Sequence, residues 1–204
     1  INNLGNNLKQ QQQDINNEIS TLVNAINSIG EEIRNLNEQI YKYEIDGSHA
    51  NDLRDKRALL VDELSEYINV NVSIKKDENN FEKFSVLING YELVNHFDAQ
   101  KLEVIARGPE DKKNKYDADG LYDIKFASGN DFNIYSPSLK GELKGLIDIR
   151  DGNNNEMTME NGKTTSYKGI PHYIDKLNKL VRTVAKAFNE GLDYKGDPIE
   201  GMTG

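Results

Sequence analysis

An unbroken apolar stripe near the start of the chain constrains the fold more than any other feature. The stripe alternates spacings of four and three residues, through Ile15, Ile19, Leu22, Ile26, Ile29, Ile33, Leu36, Ile40 and Tyr43. This period of 3.5 residues is the heptad pattern of a helix that packs along its length against other helices. It predicts one helix over about residues 6–44, which would be roughly 55–60 Å long.

A single helix cannot bury this stripe, so the stripe needs a partner. Either several copies form a coiled coil, or later helices of the same chain complete a bundle. The later helices, predicted at about 52–68 and 171–191, carry matching stripes, which favours the bundle. Their packing residues are Leu53, Leu60, Leu64 and Ile68 on one helix, and Leu177, Val181, Val184 and Phe188 on the other.

The second predicted helix begins in the segment NDLRDKRALLVDELSEYINV (51–70), where Asn51 or Asp52 can act as its N-cap. Beside its apolar face lie charges of both signs, Arg54, Asp55 and Arg57. Mixed charges on a helix flank are typical of a solvated edge with ion pairs. Such pairs contribute only about 0–1 kcal/mol each when exposed, so they set register or partner more than stability. Whether they pair within the chain or contact a neighbouring subunit stays open.

From residue 70 the apolar period changes from helical to two, which indicates β-strands. Asn89 and Gly90 lie between apolar runs in FSVLINGYELV (84–94), and Asn-Gly in this setting predicts a hairpin with a type I′ turn. Further strands are predicted at 70–74, 101–107, 121–127 and 131–136, followed by a helix over 136–152 with Ser136 or Ser138 as its cap.

The order of these elements predicts an α+β fold. An elongated helical bundle, built from the long heptad helix and shorter helices from both chain ends, would carry an inserted small antiparallel β domain. We expect a discontinuous helical rod domain over 1–69 with 138–204, and the β domain over 70–137.

Composition excludes several classes of function. The formal net charge is −9, from 34 acidic and 25 basic residues. Such an acidic chain is poorly suited to non-specific binding of nucleic acid or of anionic membranes. The sequence contains no cysteine, which excludes disulfides and thiol chemistry, and no run of 18 apolar residues that would predict a membrane span.

No motif predicts an active site. The histidines, His49, His96 and His172, are not spaced for joint metal binding and are predicted at the surface. The segment KYDADGLYDIKF is similar to a calcium-binding loop, but alignment on its glycine puts Lys115 and Phe126 at required ligand positions. The triplet GKT (162–164) lacks the earlier glycine of a phosphate-binding loop. The sequence therefore predicts no catalytic, cofactor-binding or metal-binding residue, and no enzymatic activity.

Five segments in order carry a family resemblance. They are IRNLNEQI (33–40), NDLRDKRALLVDELSEYINVNV (51–72), NGYELV (89–94), GELKGLIDIRDG (141–152) and LVRTVAKAFNEG (180–191). This series, which runs over nearly the whole chain, resembles the flagellar hook-associated protein 1 family (FlgK). The differences are local: Leu143-Lys144-Gly145 stands where the family has a glycine pair, and residues 153–169 resemble an insertion.

The resemblance implies a structural subunit of the bacterial flagellum at the junction between hook and filament, needed for filament assembly and motility. It implies a ring of copies, contacts with the hook protein and the second junction protein, and an export chaperone acting on a C-terminal segment outside this sequence. It also implies an extracellular location after export by the flagellar secretion apparatus without a cleaved signal peptide. The alternative is a secreted coiled-coil adhesin or surface interaction protein without enzymatic activity. The flagellar reading includes no cofactor, nucleic acid or membrane.

Overall fold

A computed structural model of the chain describes residues 2–45, 47–78, 81–155 and 165–190, with residues 195 and 197. The helices in these ranges are α1 (Asn2–Glu44), α2 (Asn51–Tyr67), α3 (Glu142–Asp151) and α4 (Ile170–Glu190). The strands are β1 (Val70–Lys76), β2 (Glu82–Ile88), β3 (Tyr91–Asn95), β4 (Asp98–Ala99), β5 (Leu102–Ala106) and β6 (Tyr122–Phe126), and a short 3-10 helix covers Pro109–Asp111. The α+β class with a helical bundle is confirmed.

The strands form two antiparallel sheets. The first has the order β1-β2-β3-β4, and the second contains β5 and β6. At the β2–β3 turn, Asn89 and Gly90 have φ values of 46° and 86°, the positive angles that a type I′ turn requires. The predicted hairpin is therefore confirmed, with a bulge between Val86 and Leu87 that shifts its register.

Helix α1 runs through the centre of the fold, and most of its stripe is buried within the chain, although Tyr43 at the end of the stripe is 60% exposed. It contacts the other three helices and also β3, β4 and β5. Ile19, Ile26 and Ile33 are fully buried in one hydrophobic cluster that draws residues from α1, α2, α3 and both sheets. The predicted division into a helical domain (1–69 with 138–204) and a β domain (70–137) stays a prediction.

Helix α3 begins six residues later than predicted, at Glu142 instead of Ser136. Gly141, just before it, has a φ of 91° and lies so close to α2 that a Cβ there would be 2.7 Å from the Tyr67 carbonyl oxygen. The serine hydroxyls at 136 and 138 lie 2.7 Å apart and bond to each other, so they stabilise a turn and do not cap the helix. Packing against α2 thus decides where α3 starts.

The strand predicted at 131–136 is wrong. Only Asp131 forms a β-bridge, to Lys125, and the chain then turns through a hydrogen bond from Ser136 N to the Asn133 carbonyl oxygen. Phe132 and Ile134 are nevertheless buried. The segment is irregular but lies on the core, so every second side chain is buried. The sequence pattern of such a segment is the same as that of a strand.

Other local predictions also change. Ala50 is the N-cap of α2, so the predicted caps Asn51 and Asp52 are wrong, and no side chain caps the helix. The Ala50 backbone N–H donates to Glu44 Oε1 at 3.0 Å. His172 was predicted at the surface but is buried, because the start of α4 packs beside α3 and the His172 backbone N–H donates to the Gly152 carbonyl oxygen at 3.4 Å.

The GKT triplet lies outside the described residues. Among the helices described, none combines the length and apolar character that crossing a membrane requires.

Candidate functional site

Two of the three predicted charges at the start of α2, Arg54 and Arg57, join three elements of the fold. Arg57 is buried; its Nη2 donates to Glu82 Oε1 at 2.6 Å and its Nη1 donates to Asn37 Oδ1 at 2.7 Å. Its guanidinium carbon lies 3.7 Å from the centroid of the Phe84 ring, within cation–π range. This arginine therefore links α2 to α1 and to β2.

Arg54 spans two carboxylates in the same cluster. Its Nη2 donates to Glu44 Oε2 at 2.8 Å, and its Nη1 pairs with Glu82. The hydrogen bond from Arg54 is the main cause that lowers the pKa of Glu44. At Glu82, burial acts to raise the pKa, but the hydrogen bonds from Arg54 and Arg57 outweigh it and lower the pKa overall. Both carboxylates therefore stay ionised below the pH at which an exposed glutamate becomes protonated.

Asp55 is the third predicted charge and differs from the two arginines. It is exposed on α2, and it makes no ion pair with any residue that the structure describes. Arg54 and Arg57 are engaged within the chain, whereas the charge of Asp55 is available at the surface. The suggested contact of Arg54, Asp55 and Arg57 with a neighbouring subunit stays a prediction.

A second ionic cluster lies where the end of α3 meets the segment after β5. On Asp151, Oδ2 accepts from Arg107 Nη2 at 2.8 Å and from Arg150 Nη2 at 2.7 Å. The Tyr135 hydroxyl donates to the same oxygen at 2.7 Å. Arg107 Nε also donates to Asp123 Oδ1 at 2.9 Å. We call Asp151, Arg107, Arg150 and Tyr135 the Arg–Asp network.

The electrostatics of the Arg–Asp network favour a structural role. Burial would raise the pKa of Asp151, but Arg150 and Arg107 outweigh it and hold the pKa well below its usual range. Burial, with the nearby Asp151 charge, raises the pKa of Tyr135, so its hydroxyl stays a neutral donor. Neither Asp151 nor Tyr135 titrates near neutrality, as a general acid or base would need to. The network is suited to holding segments together.

Amide side chains on α1 connect the helix to the second sheet. Asn27 Nδ2 donates to the Leu102 carbonyl oxygen at 2.8 Å, and Asn27 Oδ1 accepts from Leu102 N at 2.8 Å. Asn16 Oδ1 accepts from Tyr122 N at 2.7 Å and from Arg150 Nη1 at 2.9 Å. These amides satisfy backbone groups at the starts of β5 and β6 that would otherwise need a neighbouring strand.

The predicted packing residues divide by exposure. Buried in the core are Ile19, Leu22, Ile26, Ile29, Ile33, Ile40, Leu64 and Ile68. Half-buried are Ile15, Leu36, Leu53, Leu60, Leu177 and Val181. Val184 and Phe188, at 41% and 76% exposed, continue the α4 stripe where no described part of the chain covers it. A role of these residues in assembly stays a prediction.

The elements described above correspond to a known family. Residues 1–201 match the family model described as the flagellar hook-associated protein FlgK helical domain. This chain belongs to the FlgK helical-domain family. The match extends over the helices and both sheets, so the whole described fold lies within the FlgK domain.

Two relatives in the FlgK family match over most of this chain, and a third matches over about half of it. Flagellar hook-associated protein 1 of Escherichia coli (strain K12) is 26% identical over 202 residues, covering 95% of this chain and 32% of the relative. The Bacillus subtilis (strain 168) protein of the same name is 27% identical over 195 residues, covering 93% and 37%. The Salmonella typhimurium protein is 35% identical over 100 residues, covering 48% and 18%. The chain spans about a third of the length of the first two relatives.

A solved FlgK structure has a similar fold. The flagellar hook junction protein FlgK from Burkholderia pseudomallei superimposes with a TM-score of 0.53 at 25% identity. The similarity covers 71% of this chain and 25% of that chain.

The segments that carry the FlgK resemblance contribute to both ionic clusters. NDLRDKR supplies Arg54 and Arg57, and GLIDIRDG supplies Arg150 and Asp151. The sequence did not reveal that Asp151 pairs with Arg107, which lies 44 residues earlier. The sequence signal for a buried ionic cluster was the Arg150–Asp151 doublet in the last turn of a helix with an apolar face. Charged side chains are rarely buried unless they are paired.

Proposed function

We propose that this chain is the outer structural portion of a subunit of the bacterial hook–filament junction, needed for filament assembly and motility. The observation that carries the proposal is the FlgK helical-domain match over residues 1–201. The chain acts by shape and contact and catalyses no reaction. Among the described residues, no three His, Asp or Glu side chains are grouped to hold a metal ion.

The internal construction of the chain supports a role in transmitting force. Helix α1 is 43 residues long, roughly 65 Å, and packs along this length against helices and strands. The Arg–Asp network holds the second sheet to α3, and the ion pairs of Arg54 and Arg57 with Glu82 hold the first sheet to α2. A subunit between hook and filament must keep its shape under torque, and buried ion pairs with fixed geometry suit that requirement.

The proposed partners follow from the junction role. Copies of the chain would form a ring, in contact with the hook protein on one side and the second junction protein on the other. An export chaperone would bind a C-terminal segment of the full-length protein. The location would be the flagellum outside the cell, after export by the flagellar secretion apparatus.

Deletion of the full-length gene in the parent organism tests the proposal. The expected cells carry hooks without filaments, release flagellin into the medium and do not swim. Complementation with the intact gene should restore filaments, which controls for effects on neighbouring genes. Normal filaments on the deletion strain would contradict the proposal.

A further inference from the structure

Strand β1 is an outer strand of the first sheet with one free edge. All seven residues of Val70–Lys76 pair with β2, and no described residue hydrogen-bonds to the backbone on the other side. Just before the strand, Asn69 N donates to the Lys140 carbonyl oxygen at 3.3 Å, so the described part of the chain covers the edge only up to that point. A long, regular edge of this kind is a template for pairing with another strand.

The same strand carries two uncovered apolar side chains. Val72 and Ile74 are 43% and 59% exposed. Their direct partners on β2, Val86 and Phe84, are buried in the core. Directly paired residues lie on the same face of a sheet, so Val72 and Ile74 lie on the face that packs on the core. At the outer strand β1, this face is exposed to solvent.

We propose that β1 pairs with β1 of a second copy of this chain, antiparallel and centred on Ser73. In this register Val72 of each copy lies opposite Ile74 of the other, so the four exposed apolar side chains cover one another. Ser73 lies opposite its counterpart on the other face, and Asn71 lies opposite Lys75. The two sheets would become one continuous sheet of eight strands.

The strand sequence itself selects a second copy as the occupant. Centred on Ser73, all seven residues of each strand pair, and no two like charges face each other. A register centred on Val72 would bring Asn69 into the ladder, although its N–H is already bonded to Lys140. A register centred on Ile74 would place Val72 opposite Lys76 and leave part of the apolar surface uncovered. The chain's own β1 therefore fits this edge in one register.

This pairing goes beyond the proposed flagellar function and does not depend on it. A two-fold pair is closed, because each copy uses the same surface, whereas a ring needs head-to-tail contacts between different surfaces. The pairing is a property of the chain in solution, and failure of the junction role would leave it standing.

Sedimentation equilibrium of the 204-residue chain over a wide concentration range tests the pairing. The expected average mass rises from monomer towards dimer and not beyond. The double substitution Val72→Lys/Ile74→Lys places lysines opposite each other across the pair and should weaken dimerisation roughly tenfold or more. Ile105→Lys is the matched control, since Ile105 is 46% exposed on β5 of the other sheet, and it should leave dimerisation unchanged. Thermal unfolding checks that all variants fold.

Cysteine cross-linking tests the register, because the chain has no cysteine of its own. Facing residues of antiparallel strands have Cα atoms about 4.5–5.5 Å apart, within the range that a disulfide spans. Ser73→Cys should therefore give a disulfide-linked dimer under mild oxidation. Ser128→Cys, an exposed serine after β6, is the control and should stay monomeric. A mixture of Asn71→Cys and Lys75→Cys chains should link more efficiently than either chain alone.

Several results would overturn the proposal. A monomeric mass at every concentration would do so, as would a dimer that the double lysine substitution leaves intact. Cross-linking of Ser73→Cys no faster than that of Ser128→Cys would also do so. Strong self-linking of Val72→Cys with none at position 73 would refute the register.

Discussion

Arg107 and Asp151 form a two-pronged ion pair inside the protein, with Nη2–Oδ2 at 2.8 Å and Nη1–Oδ1 at 3.2 Å. Their side chains are 2% and 0% exposed. Arg107 follows β5 directly, and Asp151 is the last residue of α3. The pair therefore fixes the position of the second sheet relative to the helices that follow it.

Removing the carboxylate of this pair should destabilise the fold strongly. Asp151→Asn leaves two buried guanidinium groups without their shared counter-charge, which is expected to lower the free energy of unfolding by about 3–5 kcal/mol. Urea unfolding at neutral pH measures the change. Asp131→Asn is the control, because Asp131 is 88% exposed and its pair with Lys125 should contribute no more than about 1 kcal/mol. Equal losses in both variants would contradict a special role for the buried pair.

Glu82 should make stability depend on acid pH. Its folded pKa is lowered, so the unfolded chain binds the proton more tightly and low pH favours unfolding. Its contribution is fully present above the ordinary pKa of 4.5 and is lost as pH falls through the lower folded value. Glu82→Gln should therefore be less stable than the parent chain at pH 7, by a margin that narrows below about pH 4. A margin that stays constant down to pH 2 would show that ionisation of Glu82 is not the cause.

Two glycines near α3 should respond in opposite directions to alanine. Gly141→Ala would put a Cβ 2.7 Å from the Tyr67 carbonyl oxygen at a φ of 91°, and we expect a loss of about 2 kcal/mol or more. Gly145→Ala, inside α3 with open space around it, should gain about 0.5–1 kcal/mol from higher helix propensity. Thermal and urea unfolding compare the two variants directly. A gain at Gly141 would refute the close contact with α2.

Asp55 offers a test of the proposed subunit contacts. Asp55→Lys should fold normally, since the residue is exposed and has no ion pair with a described residue. If Asp55 contacts a neighbouring subunit, the full-length variant should fail to restore filaments in the deletion strain. Glu66→Lys, another exposed acid on α2, is the matched control for charge reversal. Equal swimming of both complemented strains would remove Asp55 from the interface.

The sequence predicted best those elements that depend on a short local pattern, either a repeat of apolar residues or a pair of turn residues. The heptad spacing from Ile15 to Ile40 predicted α1, and Asn89-Gly90 predicted the β2–β3 hairpin with its turn type. Each of these two signals lies within a few turns or residues of sequence. The FlgK family is indicated by five motif segments in order along most of the chain.

Other features depended on distant contacts. Asn16 and Asn27, which lie outside the apolar stripe of α1, bond to the second sheet more than 70 residues away. The start of α3 was decided by the backbone of α2, and the 131–136 segment is buried without becoming a strand.

The sequence alone thus determined the period at which apolar residues recur along each helix, because burial of one face repeats along a helix. Only the tertiary structure decided which buried polar groups meet, as at Arg107 and Asp151. Such a pair forms when two elements bring their ends together, and no local spacing encodes that distance. It also placed β1 at the outside of the first sheet, since strand order in a sheet is fixed by long-range pairing.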